Sequence, residues 1–213
     1  NPMQPLPYKR YEIGPVFRDG PTQPKQGRFR MFTQADVDIV GVKSMAGEAE
    51  LLALTEEEKE KIGIGEVEIK LNNRKLLNGI LKSCKIKDSD LMSVVMSIDK
   101  LEKIGESGVK KELKEKGIAT EKIEKVLEII KNEDKIRNVE NVLAKEGLKE
   151  IDELMKYCES LGLKNVKFDP TLARGLAYYT GTVYEVKAKD KSIIEATITA
   201  GGRYDEMIGN YVG

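Results

Sequence analysis

The sequence predicts an α+β protein in which an antiparallel sheet is flanked by helices and carries an inserted all-α domain. Both ends of the chain contain stretches where apolar and polar residues alternate, as they do in strands with one buried face. The middle of the chain, residues 83–166, instead repeats apolar residues at helical spacing. We therefore expect residues 1–82 and 167–213 to form one sheet domain, interrupted by a helical domain.

The composition limits the chemistry that the protein can perform. The chain has 213 residues, with 36 basic side chains, 36 acidic side chains and no histidine. The lack of histidine excludes a Ser-His-Asp triad, a Cys-His nucleophile pair and a histidine-ligated metal site. The zero formal net charge means that contact with nucleic acid requires a local patch. Cys84 and Cys158 form no CxxC motif, so we expect two reduced, structural thiols in a cytoplasmic protein.

The N-terminal segment predicts a β-hairpin with a polar face. Tyr8–Phe17 and residues 28–40 have the character of strands, and residues 19–27 have turn composition. The alternation places these side chains on one face of the second strand: Arg28, Arg30, Phe32, Gln34, Asp36 and Asp38. Arg18 stands at the end of the partner strand. The pattern alone leaves two interpretations open, namely a solvated face of ion pairs or a site for one ligand.

The next segment predicts two helices and one strand. Residues 46–62 carry a leucine stripe with a charged end, and residues 66–71 alternate strictly. We expect a turn at residues 72–74, followed by a short helix over residues 75–81.

Residues 83–166 predict a small helical bundle. Apolar stripes at helical spacing begin at Leu91, Ile123 and Ile151, and Thr120 is the N-cap candidate for the second stripe. Lysines are frequent here, but glutamates alternate with them, so solvated faces are favoured over a nucleic-acid interface.

Residues 168–185 gather one arginine and three tyrosines around two glycines. Residues 180–186 have turn chemistry followed by β-branched and aromatic residues, which predicts a strand. Arg174 beside several phenols suits the binding of an anion next to a ring. Residues 192–199 predict a further strand, and the glycine pair at 201–202 favours a turn.

Three motifs follow one another along the chain. Residues 17–38 read FRDGPTQPKQGRFRMFTQADVD, residues 173–185 read ARGLAYYTGTVYE and residues 200–205 read AGGRYD. The first resembles the motif 2 hairpin of class II aminoacyl-tRNA synthetases, and the other two resemble signatures of the histidyl-tRNA synthetase family. Weaker similarity continues through IKLNNRKLLNGIL and SIDKLEKI, and QADVDIVG has an archaeal or eukaryotic character. The resemblance covers nearly the whole chain and implies a class II synthetase-like sheet.

The resemblance also implies a reaction and roles for individual residues. The family activates histidine with ATP to histidyl-adenylate, with Mg²⁺ on the pyrophosphate, and transfers histidine to tRNA(His). The catalytic residues that it implies are Arg174, which would stabilise the transition state, and Arg18. The ATP-binding residues that it implies are Arg18, Arg28 and Phe32. The histidine-binding residues that it implies are Gln34, Asp38, Arg174, Tyr178, Tyr179, Gly201, Gly202 and Tyr204. Tyr179 is expected to face Asp38 across the imidazole, and no residue is implied as a metal ligand.

The chain also departs from the family pattern. Ala177 and Gly20 stand where the family usually has acidic residues. We find no motif 1 dimerisation helix, no motif 3 arginine and no anticodon-binding domain, so we expect this chain alone to be inactive or weakly active. We expect the parent to be a homodimer that contacts no membrane. The alternative is a non-catalytic relative that senses histidine or tRNA, but the presence of Arg18, Arg28 and Arg174 favours the ligase.

Overall fold

The fold is described from a computed structural model, which covers residues 4–23 and 27–212, without the side chains of residues 208, 211 and 212. Part of the predicted loop, residues 24–26, lies outside this description. The described residues form six strands and eight α-helices, and the predicted α+β architecture is confirmed.

The N-terminal hairpin is a two-stranded antiparallel sheet. Strand β1 (Tyr8–Phe17) pairs along its whole length with strand β2 (Met31–Val40). Strand β2 begins three residues later than predicted. Arg28 instead exchanges two backbone hydrogen bonds with Gln23, of 2.9 and 3.1 Å, and this isolated bridge closes the loop before the hairpin ladder starts.

A second sheet, of four strands, is formed by residues that follow the hairpin in the sequence. Its strands are β3 (Val67–Asn73), β4 (Val166–Phe168), β5 (Thr182–Ala188) and β6 (Thr197–Gly202), in the spatial order β4-β3-β5-β6. Strand β5 runs antiparallel to both of its neighbours, as predicted, whereas β4 runs parallel to β3. A parallel pair needs a long crossover connection, and the helices between β3 and β4 provide it.

The helices account for most of the remaining chain. They are α1 (Ala46–Lys61), α2 (Arg74–Ser83), α3 (Leu91–Ile98), α4 (Leu101–Glu115), α5 (Thr120–Ile130), α6 (Glu133–Arg137), α7 (Val142–Ser160) and α8 (Met207–Val212). A short 3₁₀ turn, Asp88–Asp90, precedes α3. No helix in the described ranges is both long enough and apolar enough to span a bilayer.

Four local predictions are wrong in informative ways. The expected turn at residues 72–74 is absent from the described chain, because β3 passes directly into α2 and the Asn73 side chain caps that helix by accepting a 2.8 Å hydrogen bond from the Lys75 amide. Thr120 is the first residue of α5 rather than its N-cap. The strand predicted over residues 192–199 begins at Thr197, because Asp190 accepts hydrogen bonds from Ser192 and forms a turn before it.

The fourth error concerns the glycine pair. Gly201 and Gly202 lie inside β6, paired with Tyr184 and Val183, and do not form a turn. The sequence pattern suggested a turn because glycine is common in turns, but here the missing side chains make room for tyrosine rings.

One apolar core joins the sheet to the helices. Fully buried side chains run without a break from Ile69 on β3, through Leu76 on α2, to Val95 on α3 and Leu154 on α7. Helices α2 and α7 pack at very close range, since a methyl group at Gly79 would lie 2.3 Å from the backbone nitrogen of Ala144. The division of the chain at residues 82 and 166 remains a prediction, but in space the helical segment shares the core of the sheet.

Candidate functional site

The polar face of the hairpin is formed as the alternation predicts. The register places Phe32, Gln34 and Asp38 opposite Val16, Gly14 and Arg10. Because side chains two residues apart point to the same side of a strand, these groups share one face. The pairing of β1 with β2 alone therefore brings three of the predicted site residues, Phe32, Gln34 and Asp38, onto one face.

Arg18 lies just beyond β1 and rests on an aromatic ring. Its backbone amide donates a 2.9 Å hydrogen bond to the Arg30 carbonyl, which extends the hairpin by one pair. The central carbon of its guanidinium lies 4.1 Å from the centroid of the Phe32 ring. This cation–π contact holds the guanidinium without using its N–H donors. Arg18 forms no ion pair with another described residue, so those donors remain available to an anion.

Asp38 joins the hairpin to the segment that follows β6. Its carboxylate accepts a hydrogen bond from the Tyr204 hydroxyl and lies 3.4 Å from Nε of Arg10. Burial and this bond to Asp38 both raise the pKa of the Tyr204 phenol, which stays protonated at neutral pH. The hairpin and AGGRYD therefore meet at one carboxylate.

Tyr179 lies in the loop immediately before β5, because the pairing of β5 with β3 begins only at Thr182. The described hydroxyl partner of Asp38 is Tyr204. The position of Tyr179 across the imidazole from Asp38 stays a prediction. Gln34 is also engaged locally, since its amide donates to the Asp36 carboxylate at 2.9 Å.

Arg174 lies in the segment 169–181, which connects β4 with β5. Its backbone has a φ of +45°, which is uncommon for a residue with a side chain. Its terminal nitrogen is 3.7 Å from Glu185, a long contact, while Asp169 is paired with Lys70 at 3.0 Å. Nε of Arg174 is buried and has no hydrogen-bond partner among the described residues. The guanidinium is therefore only partly satisfied by the protein.

The glycine pair of β6 makes room for two tyrosine rings, those of Tyr179 and Tyr184. The rings of Tyr178 and Tyr179 lie 4.6 Å apart. A methyl group at Gly202 would lie 2.5 Å from the Thr182 carbonyl oxygen and 2.8 Å from the Tyr179 ring, and one at Gly201 would lie 2.6 Å from the Tyr184 hydroxyl. Only glycine admits these rings at such close range.

The buried phenols of Tyr179 and Tyr184 stay protonated across the physiological pH range. Burial is the main cause that raises the pKa of Tyr179 to about 12, and burial likewise raises the pKa of Tyr184 to about 12. Arg174 lies close enough to both phenols to oppose these shifts. Each hydroxyl can therefore donate one hydrogen bond to a ligand and accept another.

Arg203 ties the AGGRYD segment to the start of α1. Its guanidinium donates to the Glu48 carboxylate at 3.0 Å and to the Val42 carbonyl at 2.8 Å. Burial raises the pKa of Glu48, and the bond from Arg203 opposes this shift. The Thr180 amide donates to the Arg203 carbonyl at 2.8 Å. The three motifs are thus linked by direct contacts, although the first is distant from the other two in sequence.

The described contacts do not bring all of the predicted residues together. The described hydrogen bonds of Arg28 join it only to Gln23, and they do not connect Arg28 or Gln34 with Arg174. Gly20, where the family usually has an acidic residue, has a backbone conformation that suits glycine. Gly20 has a φ of +132°, a conformation that an acidic residue would adopt only with strain.

Two residues that hold the segment 169–181, Asn72 and Arg74, are not among the predicted site residues. Both are buried, and their side chains bind backbone carbonyls of the segment that carries Arg174. The sequence Asn-Asn-Arg has turn composition, which predicts a turn and not a buried support. Asn73 offers a sequence signal for their burial. It is an N-cap residue between an alternating strand and an apolar helix, so its neighbours Asn72 and Arg74 belong to buried elements.

The thiols are structural, as predicted. Cys84 and Cys158 are both free and buried. Burial raises the pKa of the Cys158 thiol to about 11, so it is unreactive at neutral pH.

Comparisons with known proteins agree with the motifs. A family model described as "Histidyl-tRNA synthetase" matches residues 3–213. Histidine–tRNA ligase 1 of Bacillus cereus is 47% identical over 100% of this chain, which covers 51% of that relative. The crystal structure of histidyl-tRNA synthetase from Nostoc sp. PCC 7120 has a TM-score of 0.85 at 34% identity, over 99% of this chain and 51% of that chain.

A more distant structure shares the fold alone. It is described as an ATP phosphoribosyltransferase regulatory subunit/histidyl-tRNA synthetase from Bacillus halodurans, with a TM-score of 0.79 at 21% identity, over 98% of this chain and 54% of that chain. The relatives named here are bacterial and give no support to the archaeal or eukaryotic character of QADVDIVG. The chain spans about half the length of the curated relatives it matches. The family match includes all three motifs and both sheets, and the chain therefore belongs to the histidyl-tRNA synthetase family.

Proposed function

We propose that this chain provides part of the active site of a histidine–tRNA ligase. In this reaction, ATP activates histidine to histidyl-adenylate, and the histidyl group is then transferred to tRNA(His). The observation that carries the proposal is the state of Arg174. Its Nε is buried without a described partner, and a terminal nitrogen lies 3.7 Å from the Glu185 carboxylate. The phenols of Tyr179 and Tyr184 lie close enough to feel its charge. Such a guanidinium has donors left for a phosphate.

In the first step, a carboxylate oxygen of histidine attacks the α-phosphorus of ATP. The bond to the bridging oxygen breaks, pyrophosphate leaves with that electron pair, and negative charge grows on the non-bridging oxygens. Arg174 stabilises this charge because a guanidinium in a fixed position needs no reorganisation during the reaction. Arg18 binds the α-phosphate and the histidine carboxylate from the hairpin side, where its N–H donors are free of other ion pairs among the described residues.

Histidine is selected by polar groups aimed at its ring. Asp38 accepts from one ring N–H, and its bond from Tyr204 holds the carboxylate in place. The buried phenol of Tyr179 supplies a second polar partner. A side chain that lacks the ring nitrogens leaves these groups unpaired, so the pocket rejects it by more than shape.

Mg²⁺ enters the reaction as part of the Mg–ATP substrate. Within the described ranges, no cluster of three or more Cys, Asp and Glu side chains is arranged to hold a metal ion. The ion neutralises charge on the phosphates of ATP, and we assign no residue of this chain as its ligand. Binding of tRNA(His), dimerisation of the parent and a cytoplasmic location belong to the same proposal.

Histidine-dependent exchange of labelled pyrophosphate into ATP tests the proposed function. We expect the natural gene product to show exchange that requires histidine, and the 213-residue chain alone to show little or none. Omission of histidine and its replacement by glutamine are the controls. Tight histidine binding by calorimetry without any exchange in the natural gene product would reject the ligase in favour of a sensing module.

A further inference from the structure

We propose that Arg74, together with Asn72, is a positioning residue that fixes the segment 169–181 and thereby sets the direction of the Arg174 guanidinium. We refer to the side chains of Asn72 and Arg74 as the carbonyl clasp. The catalytic part of this inference rests on the proposed function, whereas its structural part does not.

The carbonyl clasp binds the segment on both sides of Arg174. The Asn72 amide donates to the carbonyls of Pro170 and Leu172, at 3.1 and 2.8 Å. Nη2 of Arg74 donates to the carbonyls of Arg174 and Leu176, at 2.7 and 2.9 Å. The four bound carbonyls are spaced two residues apart: Pro170, Leu172, Arg174 and Leu176.

Backbone hydrogen bonds next to the clasp hold both ends of the same segment. The Arg74 amide donates to the Gly181 carbonyl at 2.8 Å, immediately before β5 begins. At the near end, the Asp169 amide donates to the Leu71 carbonyl at 2.8 Å. The junction between β3 and α2 therefore holds the whole loop, and two of its side chains hold the loop centre.

Because the two side chains of the clasp are buried, the clasp is an unfavourable arrangement if its only role is to stabilise the fold. Arg74 is only 5% exposed and forms no ion pair with another described residue, and its Nη1 has no hydrogen-bond partner among them. Asn72 is fully buried. A buried cation without a paired acid is usually less favourable than a well-packed apolar side chain. The planar guanidinium of Arg74 binds two carbonyls and so fixes two peptide planes at once, which an apolar side chain cannot do.

The bond from Arg74 to the Arg174 carbonyl restricts the backbone that carries the Arg174 side chain. A φ of +45° at a residue with a Cβ is strained, and surrounding contacts are needed to keep it. The bond from Arg74 to the Arg174 carbonyl is such a contact. If it is lost, the backbone can relax to negative φ, and the Cα–Cβ direction of Arg174 then turns away from its present orientation.

Substitution of Arg74 by lysine tests the proposal, because lysine keeps the charge but has no planar fork. Hydrogen exchange by mass spectrometry, made on the natural gene product, reports on the loop without any assay of activity. We expect amides of segment 169–181 to exchange about tenfold faster in Arg74→Lys, because two hydrogen bonds to a cation are weakened. Asn72→Leu is the second variant, since it removes the amide donors but keeps a similar shape.

Ile80→Val on the same helix is the matched control. Ile80 is fully buried in the core and is absent from the described hydrogen bonds to the segment, so this variant lowers stability without loosening the clasp. In pyrophosphate exchange, we expect kcat of Arg74→Lys to fall by about tenfold to a hundredfold, with the KM for histidine changed by less than about threefold. We expect Ile80→Val to change neither parameter.

The outcomes separate this inference from the proposed function. Unchanged loop exchange in both clasp variants would overturn the inference whatever the activity is. Faster loop exchange with unchanged kcat would also overturn it, because the guanidinium would then not depend on the clasp. If the natural gene product itself shows no histidine-dependent exchange of pyrophosphate, the proposed function fails, and the loop measurement alone decides whether the clasp fixes the segment.

Discussion

The two arginines assigned to the phosphate are held in opposite ways. Arg18 is exposed and lies on a Phe32 ring at the end of a hairpin whose outer face is open, with Tyr11 77% and Phe17 76% exposed. The Arg174 side chain is 24% exposed and lies in a loop that buried polar side chains fasten to a sheet. The hairpin presents its cation through contacts between near neighbours. The loop presents its cation through residues about 100 positions away in the chain.

This difference predicts how far the effect of a substitution spreads. At the loop end of the hairpin, Arg18 is held by the Phe32 ring and Gln34 by Asp36, so we expect effects there to stay local. Asp38 is the exception, because it is bonded to Tyr204. In the segment 169–181, the geometry of Arg174 depends on a network, so distant changes reach it. The substitutions below test this contrast, from the largest expected effect to the smallest.

Loss of the enclosed arginine is expected to have the largest effect. In Arg174→Ala of the natural gene product, we expect kcat for pyrophosphate exchange to fall by about a hundredfold to a thousandfold, because a fixed charge that stabilises the transition state is removed. Histidine affinity, measured by calorimetry, should change much less. Arg174→Lys should be almost as inactive, since an ammonium does not reproduce the fork. Equal losses in kcat and in histidine affinity would show that Arg174 acts in binding rather than in the transition state.

On the hairpin, a change of charge at Asp38 is expected to act on binding. Asp38→Asn should weaken histidine binding by about tenfold or more, because a charge-assisted hydrogen bond becomes a neutral one, while kcat at saturating histidine changes little. Calorimetry with histidine measures this loss directly. Asp36→Asn is the matched control, since Asp36 lies on the same face and contacts Gln34. Equal affinities for Asp38→Asn and the unmodified protein would remove Asp38 from the histidine pocket.

The sequence predicts the hairpin better than it predicts the clasped segment, and the reason is physical. Strand alternation and a turn-rich loop are local signals, so the face shared by Phe32, Gln34 and Asp38 follows from spacing alone. The one error there, the late start of β2, concerns only the edge of the hairpin.

Around Arg174, the decisive contacts are long-range. Asn72 and Arg74 look like turn residues until the structure shows which carbonyls they bind. Gly201 and Gly202 look like a turn until the rings that occupy their space are seen. The family motifs point to the guanidinium and the phenols. Asn72 and Arg74 lie in the more weakly similar segment IKLNNRKLLNGIL, whose letters do not reveal their role, because the two side chains bind backbone carbonyls, which have no sequence identity.

A smaller effect is expected when the ring below Arg18 is replaced. Phe32→Leu should weaken ATP binding by about twofold to fivefold, because a cation–π contact that helps to place Arg18 is lost. Isothermal calorimetry with Mg–ATP measures the change. Phe17→Leu is the matched control, because Phe17 is paired with Met31 on the opposite face of the hairpin. If both variants lose the same affinity, the effect comes from the hairpin as a whole and not from the ring under Arg18.

The smallest effect is expected at the start of the clasped segment and depends on pH. Burial opposes ionisation of Asp169, but hydrogen bonds from Thr171 and the ion pair with Lys70 outweigh it and lower the pKa of the carboxyl. The unfolded chain therefore binds more protons near pH 4 than the folded chain, so this contribution is present above the unfolded pKa and is lost as pH falls through the folded pKa. Asp169→Asn keeps an acceptor for Thr171 but removes the charge, and it should lower the free energy of unfolding by about 1 kcal/mol at pH 7. In urea titrations, the difference should shrink toward zero at pH 2.

Asp190→Asn is the matched control, because Asp190 makes the same pair of bonds to Ser192 but is exposed and forms no ion pair with the described lysines. If both variants lose equal stability at pH 7, the local turn rather than the Lys70 charge stabilises the segment, and the contrast between a clasped loop and a locally held one fails at this end.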